Sequence, residues 1–543
     1  MHRIIFVFIV LVALLLGGTM AARNAIRSRS FKRKLETIYP IISCDSLLEV
    51  DISDIGGEGS SITQAQETVQ GGIKVCLVTG TLAPAITVQI SLPLETWAQR
   101  YLQIGCGRLC GSISFETHAA SGCQMLANGG FVLATTNMGH SENEPDWAED
   151  PQKRVDFAYR AHHVTRLTAH KLITTFYGQS EKFSYFNGCS DGGREGLIEA
   201  GRYPTDFNGI IAGAPILLFQ VQNTLYNGWL LRLNTDENNN TILLPDKLPM
   251  LHQAVLDECD ILDGVKDNLI SNPAACKFDP QSIQCSENAT NTTQCLTAAE
   301  VEVVRKVYTG PQDPSTGAYL TPGPPLYGSE LEWSGLFVGE DAIIRQLVLS
   351  ATRYMSFTRP RPNFTINDLQ FTEQTLDALR PRHPFLDTSN TNLEDFANAG
   401  GKLILWSGLI DPAVSPSYVV SFYYALLRDM GEEQVHNFAR LYLLPGKSHC
   451  EYGVMDLLDP IITWVEEGDA PNAVIMASQN QDGSSMTRPL YPYPFASQYI
   501  GNGDIYDAAN WKQGPAVEYV PTRAWAGADL IGRYEYISMD QDY

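Results

Sequence analysis

The chain is 543 residues long, 44% hydrophobic and 18% charged, a composition that fits a globular body and excludes a disordered one. Its formal charge is −23, and so acidic a chain excludes nucleic acid as a partner. The length allows one large domain with insertions, or two to three domains.

The N-terminus reads as a targeting segment. Arg3 precedes the apolar run Ile4–Leu16, and small residues follow at 17–22. The run is short for a spanning helix, which needs roughly 20 residues, so a cleaved signal peptide over 1–22 and a secreted protein without stable membrane contact are expected. Arg23, Arg27, Arg29, Lys32, Arg33 and Lys34 come next, and positive charge there resists translocation; an uncleaved membrane anchor is the alternative. Eleven cysteines support export to an oxidising compartment, and none is spaced as a CxxC zinc pair. Sequons begin at Asn239, Asn288, Asn291 and Asn363, which marks that stretch as exposed and peripheral.

Residues 45–135 read as short strands and turns, among them Ile73–Val78, Ile86–Ile90 and Phe131–Thr135. Residues 154–177 carry apolar side chains at helical spacing. Then the alternation tightens: a strand at Phe183–Phe186, a turn at Asn187–Gly193, a helix at Arg194–Gly201, and a strand at Gly209–Ala214. That βαβ order implies a parallel sheet. From about 220 to 394 the chain is rich in Asn, Pro, Thr and acidic residues, with PGPP at 322–325 and RPRP at 359–362. The α/β pattern resumes with strands Lys402–Trp406 and Ala439–Leu444 and a closing helix over 455–467. The expected organisation is one α/β domain in two pieces, 23–219 and 395–543, with 220–394 inserted above the carboxyl ends of the strands.

Gly188-Cys189-Ser190-Asp191-Gly192 is a G-x-S-x-G elbow. Such a turn is sharp enough to lift a serine hydroxyl clear of the backbone, and the N–H of the following residue, Asp191, then faces a developing oxyanion. A serine needs a base and the base an orienting acid, in the order Ser, Asp or Glu, His. Four histidines follow Ser190. His252 and His383 fall in the insertion, and His436 in a polar helix-like stretch. His449 follows a late strand, as a base should, and Asp411 follows strand Lys402–Trp406. Cys189 precedes the nucleophile and Cys450 follows the base, so a bridge between them would staple the two catalytic loops.

The chain resembles the tannase and feruloyl esterase family, which includes the hydrolase of mono(2-hydroxyethyl) terephthalate. The matching stretches are VTGTLAP at 78–84, DFAYRA at 156–161, YFNGCSDGGREGLIEAGRYPTDFNGIIAGAP at 185–215, CDILDGVKDNLI at 259–270, WSGLIDPAVSP at 406–416, PGKSHC at 445–450, and RPLYPYP and GNGDIYDAAN near the end. The resemblance implies an α/β-hydrolase domain with a large inserted lid, a small-molecule ester substrate and no organic cofactor. It implies a structural calcium site in the lid, with carboxylates of Asp260, Asp263 and Asp267 and carbonyls of Val265 and Leu269. It implies disulfides Cys44–Cys76, Cys189–Cys450, Cys259–Cys276 and Cys285–Cys295, which leaves one pair and one free thiol among Cys106, Cys110 and Cys123. Aromatic walls for the acyl group are expected around Trp333, Tyr354 and Phe357.

Two departures stand out. A further family bridge would use positions that here hold Tyr491 and Gln513, so both of its partners are missing together. The family's glycine-rich oxyanion run reads Gly105-Cys106-Gly107-Arg108, where Gly107 or Arg108 supplies the second N–H and Arg108 narrows the pocket or brings a charge to it. The expected activity is that of a serine carboxylic ester hydrolase acting on esters of aromatic acids of the hydroxycinnamic or gallic kind. The rivals are acyl transfer or lactone chemistry with the same triad, and a non-catalytic binding module on the same fold.

Overall fold

The strand pattern read from residues 183–214 is the centre of a nine-stranded sheet. The computed structural model describes residues 35–238, 240–339, 343–451, 455–479 and 483–538. The signal segment 1–22 and Asn239 lie outside them. Strands β1 (Ser61–Gln70), β2 (Ile73–Leu82), β3 (Ile86–Pro93), β4 (Arg100–Ile104), β5 (Phe131–Thr136), β6 (Phe183–Cys189), β7 (Gly209–Gly213), β8 (Lys402–Gly408) and β9 (Ala439–Leu444) pair in the order β1-β2-β3-β5-β4-β6-β7-β8-β9. The β1-β2-β3-β5 edge is antiparallel and the rest is parallel. A parallel strand is covered on both faces, so it reads as an unbroken apolar run. Leu403, Ile404 and Leu405 of β8 are all 0% exposed, and burial of each such side chain contributes about 1.5–3 kcal/mol.

Helices cover both faces. Helix α1 (Ala161–Tyr177) buries Ala161, Val164, Thr165, Thr168, Ala169, Leu172, Ile173 and Phe176, spaced three and four apart, and ends at Gly178 with φ 72°. A five-residue π turn, Asp156–Arg160, precedes it. Helix α2 (Asp191–Arg202) follows β6, and after the sheet resumes α3 (Pro416–Met430) and α4 (Leu458–Glu467) complete the layers.

Between β7 and β8 lie the residues of the insertion, which among the described residues contribute no strand to the sheet. Its helices include Leu248–Cys259, Ala298–Thr309 and Ile344–Tyr354. Thr297 and Glu300 form a reciprocal capping box on the second of these. Cys259–Cys276 and Cys285–Cys295 cross-link it. The expected Cys44–Cys76 bridge is present. The remaining pair is Cys106–Cys110, and Cys123 is a buried free thiol that burial pushes up to about 12. Sequence patterning missed β1 and β4, as well as two C-terminal hairpins, Val474–Gln479 with Ser485–Leu490 and Phe495–Tyr499 with Trp511–Ala516. Among the described residues no helix is long and apolar enough to cross a membrane.

Candidate active site

Strands β6, β8 and β9 run parallel and end at one edge, and the loops leaving them carry Ser190, Asp411 and His449. Ser190 has φ 65° and ψ −119°, far from ordinary strand or helix geometry. Such a residue costs on the order of 1–3 kcal/mol and persists only where its surroundings over-determine it. Here they do. Ser190 N–H donates to Gly213 O at 2.9 Å, and Ser190 O accepts from Gly193 and Arg194 N–H, both at 3.1 Å. A Cβ on Gly188 would stand 2.8 Å from Gly192 Cα, and one on Gly192 would stand 2.8 Å from Cys106 O. Strand, helix and the 105–111 loop approach each other through these glycines.

Asp191 opens α2. As the first helical residue its N–H has no intrahelical partner, which leaves it available to an anion. Its carboxylate turns inward to Arg194, at 2.7 Å to Nε and 3.0 Å to Nη2. Arg194 also donates to the carbonyls of Phe157 (2.9 Å) and Ala158 (3.0 Å) in the π turn. Helix α2 is thereby tied to the π turn through Arg194, whose charge is met within the helix by Asp191, and both side chains are fully buried.

His449 Nδ1 lies 2.6 Å from Asp411 Oδ2. Asp411 is 0% exposed, and its Oδ1 accepts the N–H groups of Ala413 and Val414, both at 2.9 Å. Burial pulls the His449 pKa down, but the charge and hydrogen bond of Asp411 outweigh it, and the net shift is upward. The arrangement holds the Nδ1–H tautomer and leaves Nε2 as the basic nitrogen.

The bridge Cys189–Cys450 brings the residues flanking Ser190 and His449 to a Cα separation of 5.9 Å. A second contact, unforeseen from sequence, runs beside it. His118 and Asn187 exchange two hydrogen bonds (3.1 and 2.8 Å), and His118 Nδ1 donates to Cys450 O at 3.1 Å. Burial lowers the His118 pKa against that bond. Only histidines downstream of Ser190 fit the expected chain order, so His118 gave no signal.

In the 105–111 loop, Gly107 and Arg108 are exposed and Arg108 has φ 59°. Among the described residues their N–H groups donate to nothing, and the Arg108 guanidinium makes no ion pair.

The expected calcium ligands cluster in one turn. Asp260 accepts from Asp267 N–H (3.2 Å) and Asn268 N–H (3.1 Å), and Asp263 Oδ1 from Val265 N–H (3.0 Å). Asp267 pairs with the buried Arg488. Three carboxylates against one guanidinium leave excess negative charge, and Asp263 Oδ2 is buried without a partner. Burial, with Asp267 adding to it, raises Asp263 to about 6. The three carboxylates do not close to within 4.8 Å as a group, but hard oxygen donors around an unmet negative charge fit a hard divalent cation.

The residues expected as substrate walls lie in different settings. Trp333 is 0% exposed, donates to Ser329 Oγ at 3.0 Å and packs on Tyr308 and Phe337, as a core residue of the insertion. Phe357 lines a cavity of about 300 Å³ with Arg361, Phe364 and Leu369, and Ser190, Asp411 and His449 are not among its walls. Tyr354 ends its helix half-buried. Asn288, Asn291 and Asn363 are exposed.

A parallel sheet with a strained serine elbow at its carboxyl edge is the α/β-hydrolase fold. The family model for tannase and feruloyl esterase matches residues 70–513, and the chain belongs to that family. The mono(2-hydroxyethyl) terephthalate hydrolase of Piscinibacter sakaiensis is 30% identical over 510 residues, covering 78% of this chain and 81% of that protein. A probable feruloyl esterase B-1 of Aspergillus flavus is 28% identical over 458 residues, 79% of this chain and 83% of that one. The crystal structure of feruloyl esterase B from Aspergillus oryzae superimposes with a TM-score of 0.76 at 24% identity, covering 87% of this chain and 100% of that one. Tannin acyl hydrolase from Aspergillus niger gives 0.66 at 18%, covering 92% and 98%. These two solved structures bear on the fold. The chain is a carboxylic ester hydrolase.

Proposed function

We propose that the chain is a secreted serine esterase that hydrolyses esters of aromatic acids through Ser190, His449 and Asp411. The observation that carries this reading is the 2.6 Å contact between His449 Nδ1 and Asp411 Oδ2, on a loop tied by Cys189–Cys450 to the strained Ser190 turn. His449 Nε2 takes the Ser190 proton as Oγ adds to the ester carbonyl. The oxyanion is met by the N–H of Asp191 and a second N–H from Gly107 or Arg108. His449 then protonates the leaving alcohol, and water, deprotonated by the same nitrogen, releases the acid. Asp411 holds the tautomer and stabilises the imidazolium.

The aromatic acyl class rests on the printed names of the relatives, hydrolases of ferulate and terephthalate esters. Calcium held by Asp260, Asp263, Asp267 and the carbonyls of Val265 and Leu269 belongs to the proposal as a structural ion, as do export by the 1–22 segment and glycans on the exposed sequons. A hydrolysis panel of methyl ferulate, methyl gallate and p-nitrophenyl butyrate, on wild type and Ser190→Ala, tests the reading. Aromatic esters should be preferred and Ser190→Ala inert with its fold intact. Turnover by Ser190→Ala would overturn the triad, and preference for the aliphatic ester would overturn the substrate class.

A further inference from the structure

The 105–111 loop is not built as a free glycine run. Cys106 and Cys110 are bridged, with Cα atoms 5.4 Å apart, closing a small ring over Gly107, Arg108 and Leu109. Cys110 N–H donates across it to Gly107 O at 3.0 Å. Arg108 and Cys110 both sit in the left-handed region, φ 59° and 63°, which residues with side chains avoid unless held there.

The ring is suspended at four points. Gly105 N–H donates to Asn187 O at 3.0 Å, and Gly111 N–H to Asn137 O at 3.2 Å. Leu109 O accepts from His140 Nε2 at 2.7 Å. Cys106 N–H donates to Glu195 Oε2 at 3.0 Å. Glu195 is one turn beyond Asp191 on α2 and only 2% exposed. Its Oε2 is also 2.7 Å from His162 Nε2. Gln103 Nε2 donates to His162 Nδ1 at 2.7 Å and to His162 O at 3.0 Å, which fixes the imidazole, while the buried His162 Nε2 is in contact with Glu195 without hydrogen-bond geometry. The Tyr101 hydroxyl donates to Gln103 Oε1 at 2.5 Å and so fixes the amide. Glu195 is thus packed against a fixed imidazole while its Oε2 accepts from one loop N–H. What the ring leaves without an acceptor, among the described residues, is the N–H of Gly107, Arg108 and Leu109. The ring stands over the first turn of α2, since Cys106 O is the atom that a Cβ on Gly192 would meet.

We propose that the Cys106–Cys110 ring, hung from Glu195, is the device that fixes the second oxyanion donor. Cys106, Cys110 and Glu195 are positioning residues for the transition state. An oxyanion hole stabilises charge because its donors are aimed before the charge forms, and a donor that must first be oriented gives up that advantage. A ring with no rotational slack, attached to the same helix that carries Asp191, keeps both donors in one frame. The inference deepens the reading of Ser190 as the acylated residue and rests on it.

The test uses the full-length enzyme and three variants: C106S/C110S, Glu195→Ala and Glu195→Gln. Steady-state rates on p-nitrophenyl butyrate are read with inhibition by phenylboronic acid. In that adduct Ser190 Oγ bonds to boron, its proton passes to His449, and the tetrahedral boronate needs the same donors as the transition state. C106S/C110S and Glu195→Ala should lose about 10- to 100-fold in kcat, with KM changed less than about threefold, a loss specific to the transition state. Boronate affinity should fall in step with kcat. Glu195→Gln keeps an acceptor oxygen for Cys106 N–H and should stay within about fivefold of wild type, by the same argument. An unchanged kcat in C106S/C110S, or a fall in kcat with boronate affinity intact, overturns the inference. Should the cysteine variant not fold, Glu195→Ala against Glu195→Gln decides: equal losses refute the positioning role. Activity that needs Ser190 but ignores the loop variants refutes this inference alone, whereas activity in Ser190→Ala refutes the reading beneath it.

Discussion

Replacing Asp411 by asparagine changes one oxygen for an NH2, and the hydrogen bonds decide which way the amide faces. Oδ1 accepts two backbone N–H groups, from Ala413 and Val414. An NH2 there would set donor against donor twice, so the carboxamide oxygen takes that place and the NH2 faces His449 Nδ1. It then donates where Asp411 accepted, forcing the Nδ1-acceptor tautomer and putting the ring proton on Nε2, which must be free to take the Ser190 proton. A reversed tautomer costs serine enzymes roughly 10⁴ in kcat, or about 5.4 kcal/mol. The rise of kcat/KM with pH should also move. In wild type Asp411 raises the His449 pKa, so the limb lies above the usual imidazole range near 6.5; in Asp411→Asn it shifts to lower pH. The assay is p-nitrophenyl butyrate hydrolysis from pH 4 to 9, with circular dichroism to confirm the fold. A variant keeping a tenth of wild-type kcat at neutral pH, or a limb that does not move, would refute the reasoning.

Glu199 is 1% exposed and neither carboxylate oxygen has a hydrogen-bond partner; burial first, then Asp206, raises its pKa well above the carboxylate range. A raised folded pKa gives stability that is complete below the unfolded value of about 4.3 and is lost as pH rises through the folded one. The melting temperature should therefore fall as pH rises above about 4.3, and Glu199→Gln should flatten that fall; parallel curves for the two proteins would count against it. Removing calcium with a chelator should lower the melting temperature of wild type and leave Asp263→Asn unaffected, as read by calorimetry; equal shifts would exclude ion binding at that turn. Cys189 and Cys450 are 261 residues apart in sequence, for which the chain-entropy model gives about 5.6 kcal/mol. Denaturant unfolding of the double alanine variant should show a loss approaching that value together with reduced kcat, and unchanged stability would contradict it.

The sheet centre was legible because parallel strands announce themselves as apolar runs: β6, β7, β8 and β9 were all foreseen within a few residues. Strand β4, Arg-Tyr-Leu-Gln-Ile, was not, because Arg100 and Gln103 break the run. Both are buried, Arg100 by a salt bridge to Glu466 and Gln103 by His162, pairings that only the folded chain provides. The strand–turn–helix setting of Ser190 and the placing of Asp411 and His449 on the loops after β8 and β9 were legible from order and spacing. Glu195 was not, although it follows Asp191 by four residues and so shares its helix face. His118 lies upstream of the elbow, where chain order gives no reason to look. Trp333 shows what aromatic content does not reveal: an aromatic residue in an insertion serves that insertion's own core as readily as a pocket.

Strands β7 and β8 are direct neighbours, Gly213 opposite Trp406, yet the whole insertion separates them along the chain. That ordering has a consequence for biogenesis. A chain emerging from the N-terminus presents the Ser190 elbow long before Asp411 or His449 exists. The sheet edge of β7 stays open until the insertion has been synthesised and β8 closes it, a contact of high sequence separation and so a slow one. Only then is Cys450 present to pair with Cys189. The Ser190 turn is therefore made early, and the residues proposed to act with it join it last, as the molecule is completed.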